Sequence, residues 1–326
     1  MRVLIIKMSS MGDIIHTLPA VTDAASAVPN VQFDWVVEEA FTEIPKWHNQ
    51  VQGIIPIALR RWRKNIWQIQ NGEIKRFYTQ LRAKEYDFVL DAQGSIKSAI
   101  TAGLSRGYRL GMNRDSVRES IAYLAYQKTF SVSWQQHAIN RLRLLFSQAL
   151  NYSLPVTPPN YGIDKKNFNQ TKIELPKNYL LFIPNTSCST KRWSHQAWSS
   201  LLLKITQQGF SVYIPWGNEN ERINANRLTN NNPLAQVLPY LSLSEMAAVL
   251  VNAKAVVTVD TGLSHLSAAF GVPTIVLYGP TNPLLIGTIG ASQLHIRMVA
   301  NENSKHETDS IILKEITENL QYFLTL

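Results

Sequence analysis

One cysteine, Cys188, occurs in 326 residues. A lone thiol excludes an internal disulfide and fits a reducing compartment. No apolar run approaches the ~20 residues of a membrane span. The run in Met1–Lys7 is too short for a signal peptide, and Ser9 to Asp13 interrupt it where an apolar core would have to continue. These absences set the expectation of a cytoplasmic protein with peripheral membrane contact left open. There is no Asp-x-Asp pair, no zinc-spaced Cys/His set and no Walker A glycine spacing, so no metal and no cofactor are expected. Acidic residues are also scarce: 23 Asp and Glu stand against 32 Lys and Arg, a net charge of +9. That excess points to an acidic partner, whether nucleic acid, an anionic membrane surface or a phosphorylated substrate.

What is present is a folded chain, 45% apolar and 17% charged, and too long for a single typical core. Short apolar runs read as strands at 2–7, 32–37, 53–59 and 87–92, with helix-patterned segments between them at 66–82 and 95–105. Helical patterning at 137–150 then stops in a segment holding Pro155, Pro158 and Pro159, which can continue neither a helix nor a central strand. Alternation resumes with strands at 179–184, 211–215, 235–238, 255–259 and 274–278, and a last helix is expected at 310–325. The expectation is α/β architecture: two Rossmann-like domains with parallel sheets, 1–154 and 155–309, whose strand ends face one another across a cleft.

Ligands of such sheets collect beyond the carboxyl ends of the strands, so the polar residues there are the candidates. In Asp260-Thr261-Gly262-Leu263-Ser264-His265 the glycine lets an anion approach the backbone, Thr261 offers a hydroxyl and His265 a ring donor, while Asp260 would hold the turn or meet a sugar hydroxyl. Ordinary capping explains the same residues. Thr186 and Ser187 followed by Lys191 suit a diphosphate, with Lys191 neutralising charge as a leaving group departs; a polar loop with a solvated lysine is the alternative. Glu221, after Trp216-Gly217, can accept ribose hydroxyls or be a surface acid, and Leu241 can wall a base or belong to the core. Asp13, after Gly12 at the first helix start, reads as an N-cap or as a general base. Arg60-Arg61-Trp62-Arg63-Lys64, with Trp67 nearby, is a solvated basic face, a single-stranded nucleic-acid surface or a grip on a phosphorylated or carboxylated substrate, with Arg118 and His137 as lesser additions.

Taken together, Lys7-Met8-Ser9-Ser10-Met11-Gly12-Asp13, Thr186-Ser187 with Lys191, Trp216-Gly217 with Glu221, and Asp260 to His265 resemble the ADP-heptose:lipopolysaccharide heptosyltransferases over nearly the whole chain. Trp35 to Glu39 and Arg60 to Lys64 are similar to those members that add the first heptose to the Kdo-lipid A inner core. The resemblance implies a GT-B fold with an acceptor domain, a nucleotide-sugar domain and a last helix, 310–326, returning to the first domain. It implies an inverting, metal-independent transfer from ADP-L-glycero-D-manno-heptose with Asp13 as base and Lys191 assisting departure of the diphosphate. Donor contacts fall on Ser10, Gly12, Thr186, Ser187, Lys191, Glu221, Leu241, Asp260, Thr261, Gly262 and His265, and acceptor contacts on Arg60, Arg61, Arg63, Lys64, Arg118 and His137. The implied protein is a monomer working on Kdo-lipid A at the cytoplasmic face of the inner membrane, without nucleic acid. Ser187 stands where family members commonly carry a second threonine, Cys188-Ser189-Thr190 where they carry charge, and Leu241 where they carry methionine. A sugar-nucleotide epimerase or hydrolase of the same architecture, another heptosyltransferase, and a non-catalytic nucleic-acid binder are the competing readings.

Overall fold

The computed structural model describes residues 1–64, 72–168, 171, 173–186, 188–298 and 305–325. Ser187, Trp67 and the first part of the helix expected at 66–82 lie outside the described residues. Two compact units divide the chain, Met1–Ile163 and Asp164–Leu326. The division falls after the proline-rich segment, not at 154/155, because Tyr161 is buried and His48 bridges Ile163, which keeps this stretch in the first unit.

The first unit carries strands β1 (Arg2–Ile6), β2 (Gln32–Glu38), β3 (Val51–Ile57), β4 (Tyr86–Asp91), β5 (Gly107–Met112) and β6 (Lys128–Phe130). Its helices are α1 (Met11–Ala27), α2 (Glu43–Lys46), α3 (Leu59–Lys64), α4 (Glu73–Leu81), α5 (Ile96–Leu104) and α6 (Ala138–Leu150). The second carries β7 (Tyr179–Ile183), β8 (Ser211–Ile214), β9 (Ala235–Val237), β10 (Ala255–Val259), β11 (Thr274–Tyr278) and β12 (Gln293–Arg297), with helices α7 (His195–Gln207), α8 (Glu219–Thr229), α9 (Leu243–Val251), α10 (Gly262–Ala269), α11 (Pro283–Ile286) and α12 (Lys305–Thr325).

Both sheets are parallel, in the orders β3-β2-β1-β4-β5-β6 and β12-β11-β10-β7-β8-β9. Renumbered within its unit, the second order is the first read from the other edge, so both units have the doubly wound Rossmann arrangement. The central strands β7, β10 and β11 are buried along their whole length, as parallel strands covered on both faces must be, and that is why they read as unbroken apolar runs. Strands β5, β6 and β12 escaped the sequence reading. They lie at or next to a sheet edge, are only partly covered, and so tolerate Gly107, Arg109, Lys128, His295 and Arg297.

In the first unit α1 packs on α6, where the buried Arg143 Nε donates to Asp23 Oδ2 at 2.6 Å. Arg143 Nη2 also donates to the Pro155 carbonyl at 3.3 Å, which ties down the proline-rich segment. The last helix requires a correction. Read from the sequence as returning to the first domain, α12 belongs to the second unit: Ile312, Ile316, Leu320 and Phe323 form an apolar stripe in the core with Leu180, Trp198, Leu201 and Val257. Asp309 fixes its start by accepting from Trp193 Nε1 and Ser194 Oγ, both at 2.8 Å. Among the described residues no helix is long and apolar enough to cross a membrane.

Because Ile316 is fully buried in that core, Ile316→Ala is expected to destabilise the second unit by about 2–5 kcal/mol. Urea unfolding followed by tryptophan fluorescence checks this, and an unchanged midpoint would place the helix elsewhere.

Candidate functional site

Strand order reverses its direction of growth between β1 and β4 in the first unit and between β7 and β10 in the second. The crevice beyond the strand ends at such a switch point is where an α/β sheet admits a ligand. Asp13 stands at one of these points and Lys191 with Asp260 at the other.

In the first unit, β1 runs into Lys7 and a loop that enters α1. Asp13, third residue of the helix, turns its carboxylate back on the loop: Oδ2 accepts from the Ser10 amide and the Ser10 hydroxyl, both at 2.8 Å. The N-cap is therefore Ser10, and Asp13, read from the sequence as the cap itself, is the third helical residue that completes the capping box. The loop itself is held from β4. Gln93 Oε1 accepts from the amides of Met8 at 2.8 Å and Ser9 at 3.3 Å, while Asp91 Oδ1 accepts from the amides of Gln93 and Gly94. Lys7 is buried and donates from Nζ to the Ala92 carbonyl at 3.0 Å.

Burial alone would raise the Asp13 pKa, but the Lys7 ammonium, the two Ser10 donors and the Arg118 guanidinium outweigh it and hold the carboxyl below the ordinary carboxylate range. Burial lowers the Lys7 pKa, against the raising effect of Asp13 and Asp91. It raises that of fully buried Asp91, although Tyr126 donates to Asp91 Oδ2 at 2.7 Å. Arg118, expected with the acceptor cations, acts electrostatically on the Asp13 carboxyl. His137 caps α6, its Nδ1 accepting from the Ile139 amide, and its ring meets that of His16, one turn beyond Asp13, edge-on at 5.6 Å.

The basic cluster is only partly available. Arg61 is clamped between Glu39 (Nε to Oε1 3.0 Å, Nη2 to Oε2 3.1 Å) and Glu73 (Nη1 to Oε2 3.2 Å, with a shorter contact from Nη2 to Oε1), so it braces α3 against α4. The Arg61 expected at the acceptor thus already holds two acids in this structure. Arg60 lies with its guanidinium 5.0 Å from the Phe41 ring centroid, and its amide donates to Glu38. Arg63 and Lys64 are exposed at the end of α3.

In the second unit Lys191 Nζ donates to Asp260 Oδ2 at 2.6 Å, and His265 Nε2 lies 3.9 Å from Asp260 Oδ1. Asp260 is buried and Lys191 about one quarter exposed. The sequence reading gave Lys191 to a diphosphate and Asp260 to the turn. The structure joins them, with Asp260 aiming the ammonium beside the start of α10. Thr261 caps that helix, Gly262 is its first residue, and Ser264 Oγ donates to the Thr261 carbonyl at 2.6 Å. Thr186 is buried and donates to the Asp260 carbonyl at 3.4 Å, linking the two strand ends. The Lys191 amide donates to the Cys188 carbonyl at 3.2 Å, and the exposed Cys188 Sγ meets Thr190 Oγ1 at 3.1 Å.

Thr186 and Glu221 line one polar pocket of about 530 Å³, with Asn185, Arg192, Asn218 and Arg227 among its walls, a volume within the usual range for small-molecule sites. Glu221 Oε2 accepts from the Gly217 amide at 2.8 Å, so it both braces that turn and borders the pocket. Leu241 is half-buried in the loop after β9 and is not among the pocket's walls. The sequence reading missed Lys7, Asp91, Gln93, Arg192 and Arg227. The first three carried one usable signal, their place at the ends of β1 and β4.

Residues 74–316 match the model of glycosyltransferase family 9 (heptosyltransferase). The chain is 50% identical over 298 residues to lipopolysaccharide heptosyltransferase 1 of Pseudomonas aeruginosa, covering 91% of this chain and 83% of that one. It is 42% identical over 319 residues to lipopolysaccharide heptosyltransferase 1 of Escherichia coli K12, covering 97% and 99%. Among solved structures it is similar to E. coli heptosyltransferase WaaC with ADP, at a TM-score of 0.90 and 43% identity over 98% of this chain and all of that one; WaaC has also been solved with ADP-2-deoxy-2-fluoro heptose. The two Rossmann-like domains expected from the sequence are those of this group.

The depressed Asp13 pKa has a measurable sign. A carboxyl whose folded-state pKa lies below its unfolded value of about 3.9 adds stability above that value and loses it as pH falls through the folded-state pKa. The stability difference between wild type and Asp13→Asn is therefore expected to be constant above about pH 5, to shrink below about pH 4 and to vanish at lower pH. Chemical denaturation across that range reads it, and a difference that grows on acidification would contradict the charge arrangement around Asp13.

Proposed function

The chain belongs to glycosyltransferase family 9, and from that premise we propose that it transfers L-glycero-D-manno-heptose from ADP-heptose to the first Kdo of Kdo-lipid A, with inversion. The observation that carries this reading is the pair of switch-point sites: an ionised carboxylate held by its helix cap in one unit, and an aimed lysine beside a helix N-terminus and a polar pocket in the other.

Asp13 acts as general base. Its low pKa keeps it ionised at neutral pH, and it takes the proton of the Kdo hydroxyl as that oxygen bonds to the anomeric carbon of heptose. The bond from that carbon to the diphosphate oxygen breaks from the opposite side, and ADP leaves with the electron pair. Lys191 has three N–H donors, one of which goes to Asp260. The others meet the diphosphate together with Thr186, Ser187, Thr261, the Gly262 amide and His265, so developing charge is met by an ammonium and a helix N-terminus. This reading assigns the leaving-group work to Lys191 and the helix end and uses no metal. Glu221 serves the ribose hydroxyls from the pocket, and Leu241 lies toward the adenine.

Arg60, Arg63, Lys64, Arg118 and His137 serve the anionic acceptor, and the enzyme works as a monomer on the cytoplasmic face of the inner membrane. Incubation of the purified protein with ADP-heptose and Kdo-lipid A, with lipid A alone as control, tests the whole reading. Heptose should appear on Kdo-lipid A only. Donor hydrolysis without transfer would make the protein a hydrolase of the same architecture.

Two substitutions separate the roles. Asp13→Asn keeps the size and leaves Ser10 as the N-cap, so turnover is expected to fall ~10²-fold or more in a protein that stays folded at the assay temperature, beyond what its loss of charge-derived stability explains. Near-normal turnover would leave Asp13 part of the capping box and nothing else. Lys191→Ala is expected to cut kcat by roughly 10²–10³-fold while weakening ADP-heptose binding much less. Equal losses in both would make Lys191 a ground-state contact.

A further inference from the structure

Helix α5 carries its large apolar side chains outward. A helix lying on a sheet ordinarily sends its polar side to water, yet α5 exposes Ile96, Ile100 and Leu104, at 45%, 58% and 41%, and buries only the small Ser98, Ala99, Thr101 and Ala102. The inward hydroxyls are satisfied locally, Ser98 Oγ by the Ser95 carbonyl at 2.8 Å and Thr101 Oγ1 by the Lys97 carbonyl at 3.0 Å. The three apolar residues are spaced four apart and form one outward stripe. Beside it packs the 3-10 turn Ser120–Ala125, which exposes Ile121 at 59% and Leu124 at 66%. These two are three residues apart and share an edge of that turn. The two elements are bonded together: the Ile96 amide donates to Glu119 Oε2 at 2.8 Å and the Glu119 amide to the Gly94 carbonyl at 3.0 Å. Single exposed apolar residues are ordinary, but an adjoining set marks a contact surface.

Charge says what covers it. Residues 94–128 carry six cations, among them Lys97, Arg106 and Lys128, against the two acids Asp115 and Glu119, and the Glu119 carboxylate is engaged at the start of α5. An apolar centre with a basic surround complements anionic headgroups over acyl chains. The patch also adjoins the Asp13 site. Helix α5 begins three residues after Gln93, which holds the Met8–Ser9 loop, and Arg118, two residues before the 3-10 turn, acts on the Asp13 carboxyl.

We infer that this face of the first unit docks on an anionic bilayer, with the apolar side chains entering the boundary between headgroups and acyl chains and the cations meeting lipid phosphates. Its use, presenting a membrane-borne acceptor to Asp13 without extracting it, rests on the function proposed above. The docking itself does not.

Flotation with phosphatidylglycerol-containing vesicles, and with pure phosphatidylcholine vesicles as control, measures it on wild type and on the triple variant Ile100→Ser/Ile121→Ser/Leu124→Ser. Wild type should float with the anionic vesicles, less so at high salt, and not with the neutral ones. The triple variant should bind the anionic vesicles weaker by roughly tenfold or more, and melt like wild type. It should transfer heptose normally to a de-acylated Kdo acceptor but show a raised KM for vesicle-embedded acceptor. Because these residues are exposed the variant should fold; should it not, Lys97→Glu/Arg106→Glu tests the same face by losing the salt-sensitive part of binding. Unchanged flotation of a folded variant overturns the proposal. So does a variant that changes only the oligomeric state by analytical ultracentrifugation, which would make the patch a contact between copies of the chain. If wild type transfers to neither acceptor, the functional reading fails while the flotation result still decides the docking surface.

Discussion

A parallel sheet whose strand order reverses at its centre imposes the constraint on which the rest of this protein depends. Right-handed crossovers send the chain leaving β1 and the chain leaving β4 to opposite faces of the sheet, and the same holds for β7 and β10. The two neighbouring strands therefore end beside a gap that no crossover covers. Backbone donors and polar side chains at those ends are left facing that gap. Each unit fills the margin of its gap with an acid and a lysine.

The two solutions differ in what is buried. In the first unit the lysine is inside: Lys7 sits beneath the loop as a cation shared between Asp13 and Asp91, and its field keeps Asp13 ionised. Ionisation gained in this way is paid for in basicity, since a carboxylate stabilised by a nearby cation holds a proton less firmly. In the second unit the acid is inside. Buried Asp260 draws Lys191 by a 2.6 Å ion pair, which fixes the position of the ammonium. One arrangement sets a charge state and the other sets a position.

How much of this was legible follows from sequence distance. The strand, turn and helix around Asp260–His265, the start of the first helix near Asp13 and the fully covered strands are local patterns, and each is legible from its own residues. The bonds that organise the site are not local. Gln93 reaches Met8 across 85 residues, and Lys191 reaches Asp260 across 69. No periodicity encodes such pairings, so Lys191 read as a diphosphate contact without its Asp260 partner, and Gln93 did not register at all. The bracing of Arg61 was hidden for a related reason: a run of cations looks uniform in sequence, whereas Glu39 and Glu73 single out one of them. Likewise α12 shows its apolar stripe in the sequence, but only the packing of Ile312, Ile316 and Leu320 shows which core receives it.

Cys188 is the chain's only thiol, it is exposed, and its carbonyl holds the Lys191 amide. The hydrogen bond with Thr190 and the nearby Lys191 ammonium lower its pKa, which enlarges the thiolate fraction that reacts with electrophiles near neutral pH. The unaltered protein thus accepts one maleimide dye at one place, on the loop that presents the lysine. Emission from that dye reads the surroundings of the lysine directly, without a single engineered residue.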